Sequence, residues 1–410
     1  MIKPLRGMKD VMFEDAKRYL YILEVASETA ERYGYSYIET PILEETSLFK
    51  RSVGDSSDIV TKEMYRFEDK GGNDVCMRPE GTAGVVRAFV SGKLDRQPGK
   101  YKFYYHGPMF RYERPQKGRL REFHQFGCES FGEVSVYEDF TIIMMIAQIL
   151  ERLGIGFDLK INSLGCKECM PPYRQKLVAF LTEVEGELCS DCNRRIRTNP
   201  IRVLDCKNES CQALLQEAPK LTSNLCESCR GDFDTLIRLL DEAGIGYSVD
   251  SNLVRGLDYY NKTAFEFVSN EIGAQSAIAG GGRYDRLVEY LDGKPTPAVG
   301  FAIGIERIME LVKTPELQRE GIYMGAMVPE AVERLFVLAA KKRQETKVTV
   351  EYSSKGFKSH MKGADKVGAR FALLIGEDEL KNDTVWLKDL HSKEEQILPL
   401  ESYLEGNSKQ

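Results

Sequence analysis

The sequence predicts an α+β fold: a mixed, mostly antiparallel sheet flanked by helices, with a mainly helical insertion and a C-terminal α/β domain. Three observations predict it. Two β-rich runs flank a polar loop between Lys102 and Gly132, which is typical of a long hairpin. Residues 166–249 hold eight of the ten cysteines and several helical runs, which indicates an inserted domain. Residues 322–405 alternate strand and helix patterns, which indicates an α/β domain with its own core.

The remaining elements follow in chain order. Residues Glu14–Tyr33 carry apolar side chains at helical spacing, and Gly34 suits the cap of that helix. Residues Tyr35–Leu43 predict a strand at a sheet boundary, because Pro41 interrupts it. Strand patterns resume near Ser248 and end in a glycine-rich stretch and a helix, Thr296–Val312. With a polar linker at 313–321, the predicted domains are 1–165 with 250–315, 166–249, and 322–405.

Composition narrows the class of protein. The chain has 410 residues and a net charge of −6, so any contact with nucleic acid must use local basic patches rather than the whole surface. The first residues, MIKPLRGMKD, have no apolar core of signal-peptide length, and no apolar run is long enough to span a membrane. We therefore expect a cytoplasmic protein without a membrane segment.

A polar strand face is predicted beside an arginine-bearing strand. Arg111 and Glu113 would share one strand face, because side chains alternate; taken alone, this pair is more typical of a structural salt bridge. On the return strand, Gln125, Gly127 and Glu129 share a face. That row is a poor hydrophobic core and a good floor for a polar ligand, with the glycine leaving space for it.

A second motif, Ala298–Arg307, predicts a glycine-containing strand followed by a helix with Arg307 in its first turn. A cation there does not stabilise the helix dipole, so Arg307 indicates either a bound phosphate or a solvated surface arginine. Two further segments group polar side chains beside glycine: Met77–Thr82, just before a helix, and Leu253–Asn261. A Walker loop, a Rossmann glycine pattern and a histidine metal motif are all absent from the sequence.

The cysteines of the insertion have the spacing of metal ligands. Cys166 with Cys169 and Cys189 with Cys192 form CxxC pairs whose separation is typical of a four-cysteine zinc site. The remaining two pairs are Cys206 with Cys211 and Cys226 with Cys229. Eight thiols could hold two structural zinc ions, with the pairs joined in sequence order or interleaved; reduced, unliganded thiols are the alternative. Cys76 and Cys128 lie outside this set.

Together these segments resemble the three motifs of class II aminoacyl-tRNA synthetases, in the right order. They are the helix and strand ending at Pro41, the Phe-Arg-x-Glu strand with its hairpin, and the strand–helix that contains Ile-Glu-Arg. LVRGLDYY together with RPEGT is similar to the signature segments of the histidyl-tRNA synthetase family. The resemblance runs from RGMKD to about residue 400.

This resemblance implies a class II catalytic domain, an anticodon-binding C-terminal domain, and a homodimer joined through Glu14–Leu43. The implied reaction activates L-histidine with ATP and Mg²⁺ to histidyl-adenylate and pyrophosphate. Histidine is then transferred to the 3′-terminal adenosine of tRNA-His.

The resemblance also implies roles for individual residues. Arg255 and Arg111 would be catalytic. Histidine would be held at its α-amino group by Glu80 and Thr82, near its carboxylate by Gln125, and at its imidazole by Glu129 and Tyr260, with Tyr259 alongside. The residues implied for ATP binding are Arg111, Glu113, Arg119, Phe123 and Arg307, with Arg111 at the α-phosphate and Arg307 at the γ-phosphate. Fixed guanidiniums suit this chemistry because negative charge grows on the phosphate oxygens.

Three local basic regions could contact tRNA, although each alone is more typical of a solvated face. In the hairpin loop they are Arg114, Lys117, Arg119 and Arg121; in the insertion, Arg194, Arg195, Arg197 and Arg202; in the C-terminal domain, Lys355, Lys358, Lys362 and Lys366.

Three alternatives remain open. One is a regulatory subunit of the enzyme that begins histidine biosynthesis, which tends to lose the catalytic arginines and the C-terminal domain that this chain keeps. Another is a class II synthetase for a different amino acid, which LVRGLDYY disfavours. The third is a zinc-ribbon nucleic-acid-binding protein, which leaves most of the chain unexplained.

Overall fold

The computed structural model describes residues 2–54, 57–204, 206, 208–254, 257, 259–272, 277–313 and 319–404. The chain divides into two compact units, Met1–Lys313 and Thr314–Gln410.

The first unit carries the larger sheet and most of the helices. Its strands, within the described residues, are β1 (Ser36–Tyr37), β2 (Leu43–Glu45), β3 (Arg66–Glu68), β4 (Asp74–Met77), β5 (Tyr101–Phe110), β6 (Glu122–Phe131), β7 (Asp158–Ser163), β8 (Tyr247–Val249), β9 (Asn261–Val268), β10 (Ala277–Arg283) and β11 (Ala298–Gly304). Its α-helices are α1 (Glu14–Arg32), α2 (Thr46–Val53), α3 (Thr82–Ser91), α4 (Val136–Arg152), α5 (Met170–Glu183), α6 (Ser190–Thr198), α7 (Glu209–Leu215), α8 (Glu227–Glu242), α9 (Leu287–Tyr290) and α10 (Ile305–Met309).

The larger sheet has the strand order β1-β5-β6-β11-β10-β9-β7-β8. Its central pairs are antiparallel, and only the outer pairs β1–β5 and β7–β8 run parallel. Buried side chains such as Ile22 on α1, Ile146 on α4 and Leu236 on α8 pack in one core with Phe265 on β9. This mixed, mostly antiparallel sheet with helices confirms the predicted fold class.

The predicted hairpin is present, since β5 and β6 pair along their whole length from Tyr101 opposite Phe131 to Phe110 opposite Glu122. Two other elements differ from the prediction. Tyr35–Leu43 is not one strand, because β1 joins the larger sheet whereas β2 joins a smaller sheet of order β2-β4-β3, on the other side of Pro41. Thr296–Val312 is helical only over α10, because strand pairing of β11 with β6 and β10 extends to Gly304.

The insertion leaves the sheet after β7 and returns to it through β8, which lies beside β7. Its own core contains Tyr173, Leu177 and Leu181 of α5 together with Val203 and Leu215. Helix α8 packs Phe233, Leu236 and Leu240 in the main core instead. The insertion therefore has a small core of its own, which Ala264 of β9 joins.

The second unit is an α/β domain. Its strands, where described, are β12 (Ile322–Ala326), β13 (Val348–Val350), β14 (Phe371–Ile375), β15 (Thr384–Asp389) and β16 (Glu395–Pro399), in the order β13-β12-β14-β15-β16. Its helices are α11 (Ala331–Lys342), α12 (Phe357–Lys366), α13 (Glu377–Asn382) and α14 (Leu400–Leu404). Strands β13, β12 and β14 are parallel, and the last two are antiparallel.

Among the described residues of both units, no helix is both long enough and apolar enough to cross a bilayer.

Candidate active site

A cleft with a cavity volume of about 200 Å³ lies over strands β6, β10 and β11. Ten residues singled out from the sequence line it: Glu80, Thr82, Arg111, Glu113, Arg119, Phe123, Gln125, Tyr259, Tyr260 and Arg307. Glu129 is not among the lining residues. Arg255, the other predicted catalytic residue, lies outside the described residues.

Small residues form the floor of the cleft. Gln125 on β6 stands opposite Gly304 on β11, and Ala302 on β11 stands opposite Gly280 on β10. Since Gly280, Ala302 and Gly304 present almost no side-chain volume, a polar ligand can approach the sheet backbone here. Gly127 does not leave space for the ligand as predicted, because the ring of Tyr105 lies over it, 2.4 Å from where a Cβ atom would be.

Among the described residues, three guanidinium groups face the cleft. Arg111 donates to the carbonyl of Pro79 at 2.8 Å and lies over the ring of Phe123, 5.3 Å from its centroid. Arg119 forms an ion pair with Glu113 at 2.8 Å. The third guanidinium belongs to Arg307.

Arg307 is held from two sides, by the carbonyl of Gly118 at 3.2 Å and by that of Ala277. Burial lowers the pKa of Arg307, and the positive charges of Arg119 and Arg111 lower it further. An anion in the cleft would relieve this repulsion. The arrangement therefore favours a ligand with several negative charges, such as a polyphosphate.

Arg111 and Glu113 do not share a strand face as predicted, because β5 ends at Phe110 and both residues lie in the following loop. The Arg111 amide still bonds to the carbonyl of Arg121, which holds the base of this loop together. Both side chains reach the cleft from the loop rather than from the sheet.

One end of the cleft, beside Arg111, is acidic and buried. The carboxylate of Glu80 accepts hydrogen bonds from the backbone amides of Thr82, at 2.7 Å, and Ala83, at 2.8 Å, at the start of α3. Burial raises the pKa of Glu80. The amide oxygen of Gln125 and the hydroxyl of Tyr259 are buried and have no hydrogen-bond partner among the described residues. These unpaired groups indicate a polar ligand that supplies hydrogen-bonding partners.

Glu129 lies beneath this end of the cleft and is fully buried. It accepts hydrogen bonds from the hydroxyls of Thr82 at 2.7 Å and Tyr105 at 3.2 Å, and a short one from Tyr284. Burial raises the pKa of Glu129 to about 8, although the three hydroxyl donors oppose this. The polar row predicted on β6 therefore continues below the cleft surface as a hydroxyl–carboxylate network.

Sequence reasoning missed three residues around the site. Tyr105 and Tyr284 belong to the Glu129 network, and Tyr284 is 155 positions away from Glu129 in the chain. Glu306 accepts hydrogen bonds from the backbone amide of His124, at 2.9 and 3.0 Å, and contacts its imidazole at 2.8 Å, which joins α10 to β6. The only local signal was position: Glu306 precedes Arg307, and Tyr284 follows the glycine run of β10.

The cysteine pairs of the insertion are nested, neither joined in sequence order nor interleaved as predicted. The first pair meets the last, and the two middle pairs meet each other. The outer group is Cys166, Cys169, Cys226 and Cys229, and the inner group is Cys189, Cys192, Cys206 and Cys211. Within each group all sulfur atoms lie within 4.8 Å of one another.

Two known family profiles together match most of the chain. The profile described as "Histidyl-tRNA synthetase" matches residues 7–308, and that described as "Anticodon binding domain" matches residues 329–408. The chain belongs to the histidyl-tRNA synthetase family. It is accordingly an ATP-dependent ligase that activates histidine to its adenylate and transfers it to the 3′-terminal adenosine of tRNA-His. Enzymes of this family use ATP with Mg²⁺.

Individual relatives agree over almost the whole chain. A protein of Sulfurovum sp. (strain NBC37-1) named histidine–tRNA ligase is 78% identical over 98% of this chain and 99% of its own length. One of Sulfurimonas denitrificans with the same name is 62% identical, over 97% and 99%. The crystal structure of apo S. aureus histidyl-tRNA synthetase matches with a TM-score of 0.83 and 34% identity, covering all of both chains.

Proposed function

We propose that the cleft is where this synthetase forms histidyl-adenylate, with the triphosphate at the arginines and histidine at the buried acidic end. The observation that carries this proposal is that Arg111, Arg119 and Arg307 line the same cleft as Glu80 and Gln125. In this arrangement the reacting carboxylate and the α-phosphate would meet between the cationic and the acidic ends.

The proposed ATP site consists of Arg111, Glu113, Arg119, Phe123 and Arg307. Arg111 would contact the α-phosphate, Arg307 the γ-phosphate, and the ring of Phe123 would stack on the adenine. When the histidine carboxylate attacks the α-phosphorus, negative charge grows on the phosphate oxygens, and fixed guanidiniums stabilise it without reorganising. Mg²⁺ would supply further charge neutralisation when it accompanies the triphosphate.

Arg255 is proposed as the second catalytic guanidinium, alongside Arg111. Arg255→Ala should lower the rate of ATP–pyrophosphate exchange about hundredfold with little change in the KM for histidine, because its interaction would strengthen only in the transition state. A higher KM for histidine without a lower exchange rate, or no change in either value, would remove Arg255 from the chemical step.

The proposed histidine site is formed by Glu80, Thr82, Gln125, Tyr259 and Tyr260, with Glu129 beneath it. Glu80 and Thr82 would hold the α-ammonium group, and the unpaired amide of Gln125 would bond near the carboxylate. Glu129 and Tyr260 would recognise the two imidazole nitrogens. Because Glu129 already bonds three hydroxyls, histidine must either replace one of them or bond through Thr82.

Transfer RNA is proposed to bind at the three basic regions. In the insertion, Arg194, Arg195 and Arg202 line a shared depression with Lys62, which concentrates positive charge. Asp58 pairs with Lys62 and Arg195, and Asp191 pairs with Arg194. Removal of residues 322–410 should spare ATP–pyrophosphate exchange, because the first unit has its own core, but should weaken charging at limiting tRNA. Unchanged charging would mean that the second unit does not bind the anticodon.

We also propose a cytoplasmic homodimer joined through the Glu14–Leu43 region. Seven large apolar side chains near this region are exposed: Val11, Met12, Phe13, Leu20, Tyr37, Ile42 and Leu43. Exposed apolar side chains at this density are typical of an interface. Light scattering at micromolar concentration should give the mass of a dimer, and a monomeric mass would contradict the proposal.

Structural zinc in the insertion belongs to the same proposal. All eight predicted ligands, Cys166, Cys169, Cys189, Cys192, Cys206, Cys211, Cys226 and Cys229, fall into the two groups of four sulfurs.

A further inference from the structure

We infer that the two cysteine groups are separate single-zinc sites with different roles: the outer site positions the histidine-binding segment, and the inner site holds the insertion together. This inference rests on the proposed structural zinc and on the proposed histidine site. The outer group comprises Cys166, Cys169, Cys226 and Cys229; the inner group comprises Cys189, Cys192, Cys206 and Cys211.

The sulfur spacing fits one ion in each group. Four sulfurs placed about 2.3 Å from a tetrahedral zinc ion lie about 3.8 Å apart. In the outer group Cys166 is 3.8 Å from both Cys169 and Cys226, and in the inner group Cys189 is 3.9 Å from Cys206. Sulfurs that hold an iron–sulfur cluster stand farther apart, because several iron atoms lie between them.

Backbone geometry around both groups favours thiolate ligands. Backbone amides point at the sulfurs of Cys169, from Cys226 at 3.1 Å, and of Cys211, from Cys189 at 3.3 Å. Cys169, Cys189 and Cys226 are the N-cap residues of α5, α6 and α8, where the helix dipole favours negative charge. In each group, therefore, one cysteine's amide also supports a ligand from the other pair.

The outer group closes the insertion at its base, because it joins Cys166 to Cys226 across 60 positions of chain. It also borders the histidine site. Gly165, which has φ +64° and stands against the side chain of Cys169, accepts a 2.8 Å hydrogen bond from the amide of Lys262. Lys262 follows Tyr260 by two positions. An ion in the outer group therefore holds the start of β9 in place. Tyr259 and Tyr260, which directly precede β9, line the cleft from there.

The inner group lies within the core of the insertion, where Cys192 and Cys211 pack with Leu188 and Val203. Tyr260 packs against this core, but among the described residues no backbone hydrogen bond like that between Gly165 and Lys262 joins the inner cysteines to the histidine segment. Loss of this ion should therefore loosen the insertion, with its arginines, and disturb the cleft less than loss of the outer ion.

Zinc stoichiometry of the whole protein, purified without chelator, tests the two sites independently of any activity. We expect two zinc ions per chain by elemental analysis and native mass spectrometry. One zinc or none, or iron with inorganic sulfide, would overturn the inference while leaving the adenylation site untouched.

Paired variants test the nesting. Cys166→Ser with Cys229→Ser should leave one zinc, because both belong to the outer group. Cys166→Ser with Cys189→Ser should leave none, whereas pairing in sequence order would leave one. Cys76→Ala, a buried cysteine outside both groups, is the matched control and should keep two. If a variant does not fold, cobalt titration of the wild-type apoprotein tests the same point. The absorption bands of cobalt bound by four thiolates should saturate at two equivalents of cobalt per chain. Saturation at one equivalent would contradict two sites.

Kinetics separate the two roles. Cys229→Ser should raise the KM for histidine about tenfold or more with the KM for ATP unchanged, because a small displacement of binding groups is costly. Cys211→Ser should raise the KM for histidine much less than Cys229→Ser does, leave the KM for ATP unchanged and weaken tRNA charging. Equal effects of the two variants on the histidine KM would overturn the assignment of different roles.

Discussion

The hydroxyl of Thr82 donates a 2.7 Å hydrogen bond to the carboxylate of Glu129. Thr82 begins α3 and lines the cleft, whereas Glu129 lies on β6 beneath it. Among the described residues, the hydrogen-bond partners of Glu129 are hydroxyls and include no cation. A bound histidine would therefore contact Thr82 directly, and the charge of Glu129 would act on it through the Thr82 hydroxyl.

Glu129→Gln should separate histidine use from ATP use. The variant keeps the size of the side chain but removes the ionisable acceptor, so kcat/KM for histidine should fall about hundredfold. The KM for ATP should stay within about twofold, because the arginines are untouched. Both values come from ATP–pyrophosphate exchange. Glu122→Gln, on the same strand and outside the cleft, is the control; equal losses for histidine and ATP would assign Glu129 a structural role.

The pKa of Glu129 predicts a pH dependence of stability. Because burial raises the pKa of Glu129 to about 8 from an ordinary value of 4.5, the folded state holds this proton more tightly than the unfolded state. The contribution to stability is complete below pH 4.5 and is lost as pH rises towards about 8. The buried groups that face Glu129 are Glu80, Tyr105 and Tyr284, and they are the same in the wild type and in the Glu129→Gln variant.

Urea unfolding at pH 5 and pH 8 measures this effect. The midpoint should fall more for the wild type than for Glu129→Gln, which cannot ionise. Parallel shifts in the two proteins would show that Glu129 does not titrate in this range.

Arg307→Ala should weaken ATP use more than Arg119→Ala. Arg307 is half-buried and kept near two other cations, whereas the side chain of Arg119 is 40% exposed and already paired with Glu113. We expect a loss in the exchange rate of about hundredfold for Arg307→Ala, the scale for one fixed charge at a transferring phosphate, and about tenfold for Arg119→Ala. Arg286→Ala, an exposed arginine outside the cleft, should match the wild type. The reverse order would place the triphosphate at the loop end instead.

Gly300→Ala should disturb the histidine end of the cleft. A Cβ atom at this position would lie 1.7 Å from a carboxylate oxygen of Glu129 and 2.6 Å from the carbonyl of Cys128. The carboxylate must then move, so we expect a lower melting temperature and a higher histidine KM. Gly156→Ala, where a Cβ atom has no neighbour within 4 Å, is the control. Identical behaviour of the two variants would show that β6 and β11 can separate without loss.

Local patterns predicted the hairpin and the polar row on β6, because alternation along a strand is written in adjacent residues. They did not predict where β5 ends or how far β11 extends, because pairing between distant strands sets both limits. The nesting of the cysteines depends on β7 and β8 lying side by side, which CxxC spacing does not encode. Tyr284 was missed for the same reason: only the fold brings it to Glu129.

ATP–pyrophosphate exchange with each of the twenty amino acids in turn tests the central claim most directly. The full chain should catalyse rapid exchange with histidine and background exchange with the other nineteen. Histidine alone offers two ring nitrogens to the polar groups at the buried end of the cleft, and an amino acid without them would leave those groups unpaired. Rapid exchange with another amino acid, or none with histidine, would contradict the account.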